Sequence, residues 1–213
     1  VSSARAEILE RIRATTGATT TLTPTPRDYR QADKRSRDEL AALFCERVKD
    51  YKAEVEYVDL PDLPVAIGAA ASRHGARRIV IPTQLPDEWR PPVLELIRDR
   101  SLTPRELDQL DGVITGCTIA IAETGTIAIS AGPHEGRRLL TLVPDMHICV
   151  VHARQVVATV PEAIAQLAPI IREHGRPLTL ISGPSATSDI ELKRVEGVHG
   201  PRKLVVLVIR ESA

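Results

Sequence analysis

The order strand, helix, strand between Glu54 and Pro82 constrains the fold of this chain more than any other feature. EVEYV (Glu54 to Val58) is a β-prone run, Leu63 to Arg73 has a helical pattern, and RRIVIP (Arg77 to Pro82) is β-prone again. Strands separated by a helix predict a βαβ unit, with parallel pairing and a right-handed crossover. HICVV (His147 to Val151), PLTLIS (Pro177 to Ser182) and KLVVLVI (Lys203 to Ile209) add further apolar strands. TIAIA (Thr118 to Ala122) and TIAIS (Thr126 to Ser130) are near copies on either side of Glu123-Thr124-Gly125. Such a pair predicts an antiparallel hairpin, and the absence of charge in both runs predicts cover on both faces. The expected fold is α/β: a three-layer Rossmann-like sandwich, mostly parallel, with an antiparallel hairpin.

Helix signals fill the intervals. Residues 3–14 form a short amphipathic pattern with Ser3 as a candidate cap. Ser36 and Glu39 have capping-box spacing before the apolar face Leu40, Leu43, Phe44 and Val48. Short helices are expected near Val93 to Arg98 and Pro104 to Leu110. Pro161 to His174 reads as a longer one, which Pro169 should kink or divide. The Thr- and Pro-rich stretch Gly17 to Gln31 reads as an extended arm. The organisation expected is an arm over residues 1–35 and one α/β domain over 36–213.

Charge and composition narrow the function. Lys+Arg and Asp+Glu each total 28, so the formal net charge is zero, and aromatics are 2%. A neutral chain with few aromatics lacks both the basic field and the stacking surface of nucleic-acid binders. No apolar run approaches the length of a membrane span, and the N-terminal pattern has no signal-peptide core, so a cytoplasmic chain is expected. Cys45, Cys117 and Cys149 are far apart and outside any CxxC spacing. They argue against disulfides, a zinc finger or a cluster carried by this chain; buried thiols are expected.

Four places carry candidate chemistry. Glu123, at a turn between apolar strands, is either a nucleophile or general base in a cleft or a solvated turn residue, with Thr124 beside it and Gly125 supplying positive φ. Arg138, in Gly136-Arg137-Arg138, is either an anion clamp or an ordinary surface charge. His147 opens a strand, and five-residue spacing puts His152 on the opposite face, which argues against a shared metal. The stretch Ser182-Gly183-Pro184-Ser185, with Thr187, Ser188 and Asp189, follows a strand end, where α/β folds place ligands. It either cradles an anion or caps a helix. His199, in Gly197-Val198-His199-Gly200-Pro201, precedes the last strand and is either an acid or base that converges with that stretch or a structural loop histidine. No residue set suggests a metal site.

Several segments also resemble a known family. AIAETGTI, TLVPDMHICVV, ATVPEAI, LISGPSATSDIEL and RVEGVHGPRKL closely resemble, in order, the lactate-utilisation protein C family, whose domain is called LUD. The match is dense over residues 110–210. The resemblance implies the fold of the sugar-isomerase and CoA-transferase superfamily. It implies a role in bacterial oxidation of L-lactate to pyruvate beside partner proteins that carry iron–sulfur clusters, with no cofactor on this chain. The Glu123 turn is also similar to the Glu-Asn-Gly turn of CoA transferases, with Thr124 in place of Asn. The clustering of polar loops after apolar strands adds the expectation that the chain binds an anionic metabolite or nucleotide-like ligand between the Glu123 turn and the Ser182–Asp189 loop. The alternatives are a scaffold without an active site, or a transferase or cyclo-ligase-like enzyme.

Overall fold

Apolar runs become strands where a neighbour can take up their backbone hydrogen bonds, and the choice of neighbour sets the architecture. A computed structural model describes residues 2–16, 25–26, 28–187, 195–197 and 199–211. The first elements are helices α1 (Ser2–Thr16) and α2 (Arg37–Asp50), strand β1 (Glu54–Val58), helix α3 (Leu63–Arg73) and strands β2 (Arg78–Ile81) and β3 (Glu95–Arg98). A single turn, α4 (Pro104–Leu107), precedes β4 (Gly112–Thr115), β5 (Ile119–Ile121), β6 (Thr126–Ile129), β7 (Met146–His152) and β8 (Val156–Val157). Helix α5 (Val160–His174), β9 (Thr179–Ile181), β10 (Ala186–Thr187), β11 (Val195–Glu196) and β12 (Lys203–Ile209) follow.

Six strands form a wholly parallel sheet in the order β1-β12-β7-β4-β2-β3. One face packs on α3 through Leu63, Ile67, Ala70, Ile148 and Val205. The other face, with Cys149, Val151, Val206 and Val208, packs on Phe44, Cys45 and Val48 of α2 and on Ala120 and Ile127 of the hairpin. All three cysteines are free and buried. The architecture is thus α/β and mostly parallel, as expected from the strand pattern. The hairpin strands are buried throughout, because α5 covers their far side with Ala163 and Leu167.

Several local expectations are corrected. The hairpin does not join the main sheet: it recruits β8 and β9 into a second sheet, β8-β5-β6-β9. PLTLIS therefore pairs antiparallel with β6. β1 and β2 are both in the parallel sheet but are not partners, since β12, β7 and β4 lie between them. Residues 95–98 are an edge strand, not a helix; β2 supplies a parallel partner in full register. α5 runs through Pro169 unbroken. Pro169 and Ala165 are both exposed, so water can satisfy the carbonyl that proline leaves unpaired. The cap at Ser36 forms as expected, with a reciprocal capping box to Glu39, whereas Ser3 lies inside α1 and is not its cap.

Candidate functional site

Strand β9 ends in the turn Ser182-Gly183-Pro184-Ser185. Gly183 has φ +78, and a Cβ there would fall 2.6 Å from Tyr51 Cβ, so only glycine lets the turn lie against the end of α2. Three hydrogen bonds then staple Ser185 to the loop before β12. Its N–H donates to the Pro201 carbonyl (2.9 Å) and its carbonyl accepts from Gly197 N–H (3.0 Å). Its Oγ accepts from the His199 N–H at 2.9 Å. That last bond leaves the serine's own proton available to donate.

Between these loops is a cleft of about 230 Å³, lined by Thr141, His147, Ser182, Ser185, His199 and Leu204 among others. His147 and Leu204 are register partners at the starts of β7 and β12. The cleft therefore opens at the amino ends of the parallel strands. Ser182 does follow the carboxyl end of a strand, as expected, but that strand, β9, is antiparallel to β6 in the second sheet. His147 is only 1% exposed, and its Nε2 lies 2.8 Å from Thr115 Oγ1. The fold thus brings together His147, Ser182, Gly183, Ser185 and His199. Thr187 is in β10, and Ser188 and Asp189 lie outside the described residues. Ser185 acts on the next loop, not as a helix cap.

Glu123, Thr124 and Gly125 are placed differently. Glu123 and Thr124 are not among the residues lining the cleft. The Glu123 carboxylate is ion-paired with Arg30 and is 3.7 Å from Arg35. Arg35 also grips Asp33 through two hydrogen bonds (3.0 and 2.7 Å). That guanidinium holds the Asp33 carboxyl well below the usual carboxylate range. The same segment is tied to α5 by the Asp33 N–H bond to Glu162 (3.3 Å). A carboxylate so engaged is an anchor for the arm, not an uncommitted base. The turn still touches the cleft indirectly: Thr124 Oγ1 is 2.7 Å from Thr126 Oγ1, which is 2.8 Å from Ser182 Oγ. Arg138 is exposed and outside the cleft lining, while Arg137 is locked on Asp99 at 2.6 Å.

Arg30, Asp33, Arg35 and Thr126 did not stand out in the sequence. RDYRQADKR is visibly charge-dense, but no local spacing says that it faces a turn some ninety residues away. Replacing Glu123 by glutamine should free this segment. An exposed ion pair of about 0.2–1 kcal/mol implies roughly a 1.4- to fivefold rise in amide exchange over residues 28–35. Unchanged exchange would mean that the pairing does not hold the arm.

With the geometry in place, known proteins can be compared. The LUD domain model matches residues 35–209. Lactate utilization protein C of Deinococcus radiodurans is 49% identical over 175 residues, covering 82% of this chain and 81% of that one. The protein of the same name from an Exiguobacterium species is 29% identical over 225 residues, covering 97% and 96%. A crystal structure of a DUF162 family protein from Deinococcus radiodurans superposes with a TM-score of 0.73 at 42% identity. It covers 83% of this chain and 99% of that one. Among the described residues no helix is long and apolar enough to cross a membrane.

Proposed function

Because the chain belongs to the LUD domain family, we propose that it serves lactate utilisation by holding a small anionic metabolite in the Ser185–His199 cleft. The observation that carries this reading is the stapling of two polar loops over a buried histidine. Ser185 Oγ–H and the His199 ring are the donors for the anion, and Ser182 is held ready by Thr126. A cleft of about 230 Å³ is smaller than the range of roughly 300–1,000 Å³ typical of drug-sized ligands. A three-carbon acid suits it; a CoA ester or a nucleotide does not. Oxidation of lactate needs an electron acceptor, and in this reading iron–sulfur partner proteins supply it. Glu123, committed to the arm, gives no support to CoA transfer.

A second reading, an assembly subunit without a ligand of its own, has its own observation. Every side chain of α1 from Ala4 to Thr15 is exposed, including Ile8, Leu9 and Ile12. A helix of 15 residues is marginal in water without tertiary cover. In this reading α1 docks on the cluster-bearing partners.

Calorimetric titration separates the two. Lactate or pyruvate should bind the chain, CoA esters and nucleotides should not, and Ser185→Ala should weaken binding about tenfold, the loss expected for one hydrogen bond to a charged group. No binding of any small acid, by the chain alone or with its partners, would leave the assembly reading. A deletion strain that grows normally on L-lactate would remove the pathway role itself.

A further inference from the structure

The hydrogen bonds around His147 favour one of its two neutral tautomers. Thr115 Oγ1 donates its single proton to the Gly116 carbonyl at 2.8 Å. With that bond made, the hydroxyl accepts from His147 Nε2, 2.8 Å away. The neutral ring then has its proton on Nε2 and a bare lone pair on Nδ1. That Nδ1 is buried and has no hydrogen-bond partner among the described residues, in a side chain that lines the cleft. Buried acceptors are almost always paired, so what enters the cleft should bring the missing donor.

We propose that the cleft takes a small carboxylate bearing a hydroxyl, a 2-hydroxy acid in preference to the 2-oxo acid, and that His147 Nδ1 accepts the hydroxyl proton. This rests on the cleft being the ligand site. A keto oxygen at the same position presents only lone pairs to another lone pair, and a methylene presents no donor. Ser185 and His199, across the cleft, remain for the carboxylate. His147 is thus a specificity-determining residue, and Thr115, which acts through it, is a positioning residue. Sites built to hydrogen-bond a substrate hydroxyl reject analogues lacking it far more strongly than apolar pockets reject a missing methylene.

The test uses the whole chain at pH 8, where an ordinary imidazole is neutral. Both enantiomers of lactate, pyruvate and propionate are titrated, and the ring nitrogens of His147 are followed by ¹⁵N NMR. The free chain should show a proton on Nε2 and none on Nδ1. At least one lactate should bind about tenfold or more tighter than pyruvate and propionate, with the Nδ1 resonance moving toward its hydrogen-bonded value. His147→Phe should abolish the preference. Should that variant not fold, the NMR measurement on the unaltered chain decides alone. A proton on Nδ1 in the free chain overturns the inference without any ligand. Equal binding of lactate, pyruvate and propionate overturns it while leaving the cleft reading intact. Failure of all of them to bind overturns the cleft reading, and this inference with it.

Discussion

Replacing Gly125 by alanine should destabilise the fold by about 2–5 kcal/mol, lowering the melting temperature by roughly 5–15 °C. Two costs add. Gly125 has φ +58, a conformation that costs an L-residue about 1–2 kcal/mol. A Cβ there would also lie 2.7 Å from the Arg47 carbonyl carbon and 2.9 Å from the Val48 nitrogen. These are backbone atoms in the last turn of α2, and the helix can yield only by shifting Phe44 and Val48 in the core, at about 1–3 kcal/mol for such crowding. Gly75→Ala separates the costs: its φ is +70, but nothing lies within 4 Å of the new Cβ. Urea unfolding of the two variants should therefore differ by the crowding alone. Equal losses would mean that the hairpin tip does not bear on α2.

The second large effect is expected at Glu135, which is only 5% exposed. Its carboxylate accepts from Thr118 Oγ1 (2.5 Å), Ser130 N–H (2.7 Å) and Gly132 N–H (2.9 Å). No cation is needed, because the donors are fixed by the chain itself. Glu135→Ala would leave the buried Gly132 N–H without this acceptor and Ser130 N–H with only its longer bond to Thr118 Oγ1 (3.2 Å); at about 1–3 kcal/mol for a buried donor left unpaired, plus the weakened bonds around it, the loss should be about 2–4 kcal/mol. Glu135→Gln keeps one oxygen and turns one donor-facing position into an NH₂ group, so about half that loss is expected. Denaturant midpoints with an unchanged slope would measure both. An alanine variant within 1 kcal/mol of the parent would show that water replaces the carboxylate freely.

Strand positions were legible because burial on both faces writes itself as continuous Val and Ile. Glu54–Val58 and Lys203–Ile209 were bounded to the residue, and the Ser36–Glu39 capping box was legible from its spacing alone. Pairing was not, because a strand carries no local mark of its neighbour. PLTLIS has the same apolar character whether it lies parallel in one sheet or antiparallel in another. Residues 95–98 read as helical for a related reason: Leu96 and Ile97 are half-buried on an edge, a pattern as helical as it is β. In the site, the convergence of His199 with Ser185 followed from chain proximity to β12. The Arg30 and Arg35 grip on Glu123, and the donors around Glu135, are tertiary arrangements that no spacing encodes.

The position of β12 bears on how the molecule is made. It is the last strand in the described chain, yet it lies second in the sheet, between β1 and β7, and among the described residues it is the only strand paired with β1. During synthesis, β1 emerges some 145 residues before the strand it must pair with, and β7 waits with one apolar edge open. The sheet therefore cannot close until β12 has left the ribosome, so β1 and β7 wait for a strand far behind them in the chain. Until that moment the unpaired edges of β1 and β7 are the surfaces a chaperone would have to shield.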